Sequence, residues 1–424
     1  MAVPSQKPLR PGAVLATISG NALEWYDFTM YAFLAPTIAT LFFPADDRLA
    51  SLLSAFAVLA LGYAARPLGS LIFGHVGDRI GRKTSLMITV AITGGGSLAI
   101  GLLPTFDQIG IAAAIALVAI RLIQGVAVAG EFSASGVLLI EQTPPEHRAR
   151  MSSWVQCAMF AGSMAGAAVP ALVSNQLTAD QLTDWGWRIP FLMGALVAFL
   201  SFFFRAGLTE SLDLGEERPR NTPAVEILRK HKLLILRMVI LQMPLCVIYF
   251  VIFVYGASYM TESGHFKTAQ ALNITTANLA ILALAMLIFG LFADRVGLRK
   301  MYLGGAIAVL IVSVPAWALM HRPELQIVFI GQLLLTLSNV SGQSMAVAAM
   351  SQMAPSSIRC SAMGLGYNLS VAIFGGTTPL LATYVVHRTG DDYWPIYYLL
   401  ITTMISLWAI VKLPGPVRRE ALSV

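Results

Sequence analysis

Apolar residues in this chain come in runs of about twenty or more, separated by short polar segments, and about 20 mostly apolar residues suffice for a helix to cross a bilayer. The pattern predicts twelve such helices: about 13–43, 49–73, a third ending near Leu103, 109–140, 152–174, a sixth ending near Arg205, then 235–260, 268–292, 301–320, 325–349, 362–386 and 394–412. The first stretch, Gly20 to Pro44, breaks the apolar pattern with Glu24 and Asp27, one helical turn apart near its middle. An unpaired carboxylate in hydrocarbon costs several kcal/mol, so these two acids are candidate functional groups.

Composition agrees with the pattern: 57% of the 424 residues are apolar, 12% are charged, and the mean hydropathy is +0.72. The net charge of +6 is not spread evenly. With the N-terminus taken as cytoplasmic, five of the 28 Lys and Arg fall outside (Arg48, Arg188, Lys267, Arg322 and Arg388), Arg66 and Arg121 lie within apolar stretches, and the other 21 are inside. That is the positive-inside bias of a multi-pass protein of a cell or inner membrane with both termini cytoplasmic. The basic excess therefore sets topology and does not point to nucleic acid. Met1 to Gly12 is short and polar, without the apolar core of a signal peptide. Cys157, Cys246 and Cys360 show neither a disulfide framework nor metal-ligand spacing, and no metal or cofactor is expected.

Between about Leu208 and Leu233 the composition turns charged, which divides the chain into an N-terminal six-helix bundle (1–207), a cytoplasmic linker (208–234) and a C-terminal six-helix bundle (235–424). The halves repeat one another. Gly290-x-x-x-Asp294-Arg295-x-Gly297-x-Arg299 matches Gly74-x-x-x-Asp78-Arg79-x-Gly81-x-Lys83 at an offset of 216, and Pro355-x-x-x-Arg359 echoes Pro144-x-x-x-Arg148 at 211. Parallel repeats of this kind build secondary transporters with the site between the halves.

Gly74 to Lys83 resembles the G-x-x-x-D-R-x-G-R-[RK] signature of the major facilitator superfamily, with its weaker copy at Gly290 to Arg299. Gly20 to Phe28, the run Arg121-Leu-Ile-Gln124-Gly125 through Gly130-Glu131-Phe132, and Trp185 to Phe191 resemble its metabolite:proton symporter branch. That branch carries citrate and tricarballylate, oxoglutarate, shikimate, and zwitterions such as proline and betaine. The resemblance implies an all-α fold of twelve transmembrane helices in two pseudo-symmetric six-helix bundles, driven by a proton gradient. It also gives Asp78, Arg79, Arg82, Asp294 and Arg295 a gating role rather than a substrate role. Ile373-Phe-Gly375-Gly376-Thr-Thr-Pro379 looks most like the tricarboxylate members. About ten residues follow the last apolar stretch, too few for the C-terminal coiled coil of the osmosensing betaine-type members.

Helical spacing places Arg121, Gln124, Val128, Glu131 and Ser135 on one face of the fourth stretch, and Gly20, Glu24, Asp27 and Tyr31 on one face of the first. At about 1.5 Å per residue, Arg121 and the two acids all fall near the midplane, with Arg66 and Glu131 about 15 Å further inward. Asp27 is the expected proton carrier, with Glu24 and Glu131 as further coupling acids and Glu24 paired with Arg121 or Arg66. Arg66 is a gating candidate through Glu131 or Asp27. Arg121, with Gln124 and Tyr31, is expected to bind a carboxylate, its rigid fork of donors matching that group. The second half offers neutral groups instead: Gln242, Tyr249, Gln332, Asn339 and Asn368. For any one of these amides, a role in joining helices competes with substrate recognition.

These features describe a monomeric, proton-coupled symporter importing a small organic anion, a di- or tricarboxylate. The competing readings are a proton symporter of a zwitterionic osmolyte, a proton-driven exporter, and a non-coupled facilitator or sensor. No nucleophile–base pair or metal constellation suggests an enzyme.

Overall fold

The computed structural model describes residues 11–79, 82–141, 143–206, 230–262, 266–355 and 358–413. Among them all regular elements are helical. The first six rods are α1 (Pro11–Phe33, resuming as Ala35–Phe42), α2 (Arg48–Ala64 and Arg66–Arg79), α3 (Arg82–Leu102), α4 (Ile111–Val128 and Glu131–Glu141), α5 (Arg148–Gln176) and α6 (Arg188–Ala206). The next six are α7 (Lys232–Tyr249 continuing to Gly256–Glu262), α8 (Thr268–Val296), α9 (Leu298–Met320), α10 (Leu325–Met353), α11 (Arg359–Ser370 continuing to Thr378–Thr389) and α12 (Trp394–Val411).

Prolines account for several of the interruptions, because each removes a backbone donor and crowds the preceding turn. Pro36 follows the break at Leu34 in α1, Pro67 the break at Ala65 in α2, and Pro379 the widened turn Val371–Gly375 in α11. Among the described residues, nine helices are long and apolar enough to span a membrane, and Ala179–Gly186 with Arg188–Phe203, bent by 44°, forms a tenth. The other two predicted spans, α1 and α3, are more polar. α1 carries Asn21, Glu24 and Asp27, and the apolar part of α3 is only Met87–Leu102 after its basic start. The charged linker expected at 208–234 lies outside the described residues except for its end, where α7 starts at Lys232, three residues before the expected boundary.

Large apolar side chains such as Leu98, Ile115, Phe199, Leu284, Ile311 and Ile401 point outward, forming the surface a lipid phase requires. α7 is the exception: 94% of its apolar window is buried, so it is enclosed by protein and not by lipid. α1 is similarly enclosed from Gly20 to Ala35. α5 packs along α1, and the spacing of Gly162 and Gly166 permits it. A Cβ on Gly162 would overlap the Ala22 backbone, and one on Gly166 would lie 2.9 Å from the Tyr26 carbonyl oxygen. The two sets of six helices meet where α5 packs on α8 and α10, and α2 on α11.

Polar ties between the two sets occur at both ends. At one end, Asp294 of α8 accepts a hydrogen bond from the Arg150 backbone N–H in the first turn of α5 at 3.2 Å. Asn368 of α11 also ties the two sets, donating to Ser70 Oγ and to the Ala129 carbonyl, each at 2.8 Å. At the other end, Arg48 of α2 grips Glu262 of α7 through two 2.7 Å hydrogen bonds. Polar contacts thus join the two sets at both ends.

Candidate functional site

α1 delivers Glu24 and Asp27 into protein rather than lipid, and each meets a different arginine. Arg66 Nη1 lies 2.8 Å from Glu24 Oε1, and Arg121 Nη1 lies 3.1 Å from Asp27 Oδ2. All four side chains are at most 3% exposed. They are the buried charged side chains among the described residues, and they sum to zero. Of the pairings open from the sequence, Glu24 with Arg66 is the one formed; Arg66 meets neither Asp27 nor, among its described contacts, Glu131. The side chains of Glu131, Asp78, Arg79 and Arg82 lie outside the described set.

The Asp27 pair is held wholly within the first six helices. Ser97 of α3 donates its hydroxyl to Asp27 Oδ1, and Gln124 Nε2 reaches Asp27 Oδ2 at 3.2 Å and the Thr93 carbonyl at 3.0 Å. Gly96 makes room for this amide: a Cβ there would lie 2.6 Å from Gln124 Cγ. The Arg121 guanidinium rests on the Tyr31 ring at 4.2 Å, and the Tyr31 hydroxyl donates to the Ala55 carbonyl at 3.2 Å. Tyr31 and Gln124 therefore support the ion pair itself. Ser97 and Thr93 carried no charge signal in the sequence, but they lie four residues apart, one turn on a helix face.

The Glu24 pair faces the other six helices. Arg66 lies against two neighbouring rings, Phe28 at 4.3 Å and Tyr63 at 4.5 Å, whose own centroids are 5.1 Å apart. Tyr63 packs edge-on against Phe250 of α7, Trp25 against Tyr249 of α7, and Phe132 stacks on Tyr367 of α11 at 3.9 Å. Tyr249 also donates to Ser163 Oγ at 3.1 Å and lies 3.2 Å from Thr29 Oγ1, so it links α7 to both α1 and α5. Of this lining, Trp25, Phe28, Tyr63, Phe132 and Phe250 escaped the sequence reading because aromatic residues in a membrane helix are ordinarily packing groups. The available signal was Trp25 and Phe28 flanking the two acids.

The second-half amides divide. Gln332 accepts from Asn278 at 2.8 Å and donates to the Ile252 carbonyl at 3.0 Å, a bond set that ties α7, α8 and α10 together away from both arginines. Asn339 borders a small gap lined by Leu241, Leu245 and Tyr302, also inside the second half. Asn368 joins α11 to α2 and α4, while buried Gln242 reaches the Cys246 thiol beside the Glu24–Arg66 pair. Of the gating residues, Asp294 caps α5 as described and Arg295 is exposed.

Among the described residues, twelve helical rods with an apolar outer surface and two buried ion pairs have the build of a multi-pass membrane protein. The model of the Major Facilitator Superfamily matches residues 17–273 and 248–423, and the chain belongs to that family. Its relatives include the proline/betaine transporter of Salmonella typhimurium, 32% identical over 408 residues covering 93% of this chain and 81% of that one. The proline/betaine transporter of Escherichia coli K12 is 31% identical with the same coverage. Among solved structures, a proton:xylose symporter bound to 6-bromo-6-deoxy-D-glucose matches with a TM-score of 0.73 over 94% of each chain, at 16% identity. An inward-open xylose transporter from E. coli matches with a TM-score of 0.70 over 95% of this chain and 96% of that one, at 19% identity. These two share the fold.

Proposed function

We propose that this protein is a proton-coupled symporter of a small zwitterionic osmolyte of the proline or betaine kind, working by alternating access. The observation that carries the reading is the zero sum of the buried charges among the described residues, two acids and two arginines already matched. A zwitterion entering such a site brings no net charge, whereas a tricarboxylate brings two or three negative charges with no unmatched buried arginine among the described residues to meet them. Uncompensated charge in a low-dielectric interior is strongly unfavourable. The names of the relatives point the same way.

In this scheme Asp27 carries the proton. When it is protonated, Arg121 loses its counter-charge, and the shift of α1 that follows acts on Glu24, one turn away on the same helix. The halves 1–207 and 235–424 then rock about the central site, opening the Asp294 end or the Arg48 end in turn. The charge bias of the loops supports a topology with the Asp294 end and both termini in the cytoplasm, and the scheme takes the protein as a monomer of the inner membrane.

The test is uptake into proteoliposomes under an imposed pH gradient, acid outside. Glycine betaine or proline should accumulate above its outside concentration, and collapse of the gradient should abolish the accumulation. Accumulation of citrate with no betaine or proline uptake would overturn the reading; equilibration without accumulation would replace the symporter by a facilitator.

A further inference from the structure

The two ion pairs differ in what surrounds them. Among the described residues, the hydrogen-bond partners of Asp27 and Arg121 come from α1, α3 and α4. A ligand bound there would touch one half of the molecule and would have nothing to bring together. The Glu24–Arg66 pair instead lies at the seam. From the opposite half, Tyr367 of α11 lies within electrostatic reach of both Arg66 and Glu24, and Cys246 of α7 within reach of Arg66.

Buried polar atoms remain without hydrogen-bond partners at both pairs, Arg121 Nε and Nη2 and Gln124 Oε1 at one and Arg66 Nε, with the Tyr367 hydroxyl and Gln242 Oε1 of the opposite half, at the other; only the second set is shared between the halves. A buried polar atom left unsatisfied costs about 1–3 kcal/mol, and such atoms are retained where a ligand satisfies them. The guanidinium already rests against two neighbouring, mutually tilted rings, Phe28 and Tyr63. Ring faces turned toward a cation also suit a methylated ammonium.

Resting on the zwitterion reading above, we propose that Glu24 and Arg66 form the substrate site, the ligand entering by parting the ion pair. The substrate carboxylate takes the Arg66 fork, its ammonium faces Glu24 and the Phe28, Tyr63 and Phe250 rings, and Tyr367 and Gln242 complete the contact from the second half. The internal pair is thereby replaced by two ligand pairs at no change in net charge. Because the ligand bridges α1 and α2 to α7 and α11, its binding favours the state in which both halves close on it. Arg121, the arginine singled out by sequence, is left to the coupling acid.

The test uses the purified full-length protein with L-proline and glycine betaine as probes. Glu24→Gln combined with Arg66→Gln removes both charges together, so neither is left buried alone. This double variant should bind both zwitterions at least about 30-fold more weakly than wild type, the loss of two charge-assisted contacts. A second readout needs no variant. Cys246 is buried on α7 of the second half, and ligand holds the halves closed on it, so at ten times its dissociation constant it should slow alkylation of Cys246 by N-ethylmaleimide about elevenfold. Cys157 should be unaffected. Binding by the double variant within about threefold of wild type, or Cys246 alkylation that ligand does not slow, overturns this site while leaving zwitterion transport standing. Wild-type protein that binds neither zwitterion overturns the functional reading and the site together.

Discussion

Replacing Arg121 by Gln leaves Asp27 as a buried carboxylate, 1% exposed, with only the neutral donors Ser97 and Gln124 beside it. Removing one member of a buried ion pair costs about 3–5 kcal/mol, because the remaining charge keeps its desolvation penalty and loses the attraction that offset it. Removing both members together costs far less, since both penalties vanish at once. With about 2 cal/mol/K of unfolding entropy per residue, a chain of 424 residues has about 0.9 kcal/mol/K, so Arg121→Gln should lower Tm by about 3–6 °C. Asp27→Asn with Arg121→Gln should recover most of that loss. The assay is thermal unfolding in detergent, read by a thiol-reactive dye that reports exposure of buried Cys246. The same double variant in proteoliposomes should exchange internal for external substrate but fail to accumulate it against a gradient. A double variant no more stable than Arg121→Gln would refute the assignment of the cost to the pair. Full pH-driven accumulation by that variant would refute Asp27 as the proton carrier.

Three further outcomes follow from the packing. Arg48 and Glu262 are partly exposed, so Arg48→Ala should cost at most about 1 kcal/mol in stability; it should nonetheless raise the reactivity of Ser51→Cys, beside that pair, toward an impermeant maleimide, and the exchanged pair Arg48→Glu with Glu262→Arg should restore protection. Asp294→Ala removes the carboxylate that caps the first turn of α5 from the opposite half, costing about 1 kcal/mol, and should raise maleimide labelling of Ser152→Cys, which is fully buried in the closed state. Gly162→Ala forces α5 away from the Ala22 backbone, so it should destabilise by about 1–3 kcal/mol; a Tm equal to wild type would show that the close approach is not needed.

How much of the site was legible from sequence varies with the kind of interaction. Glu24, Asp27, Arg66 and Arg121 stood out because charge in an apolar run has no cheap explanation. Their pairing did not: two acids one turn apart and two arginines allow either assignment by helical spacing alone. The neutral groups were less visible still. Gln332 and Gln242 are both glutamines in apolar helices, yet one is saturated by Asn278 and the Ile252 carbonyl, and the other keeps an unpartnered oxygen beside the seam. Sequence carries the donor and acceptor inventory, not the neighbours that use it.

The sequence by itself determined the apolar periodicity, the duplicated halves, the loop charge and the presence of four ionisable groups where lipid would otherwise lie. These depend on hydropathy and covalent order, which are local properties. The tertiary structure decided which arginine each acid meets, that the Asp27 pair is sealed within one half, and that the Glu24 pair faces the other half across Tyr63, Tyr367 and Cys246. Those choices are fixed by rotation and close approach of helices far apart in the chain, set in part by small residues such as Gly162 against Ala22, and no local pattern encodes them.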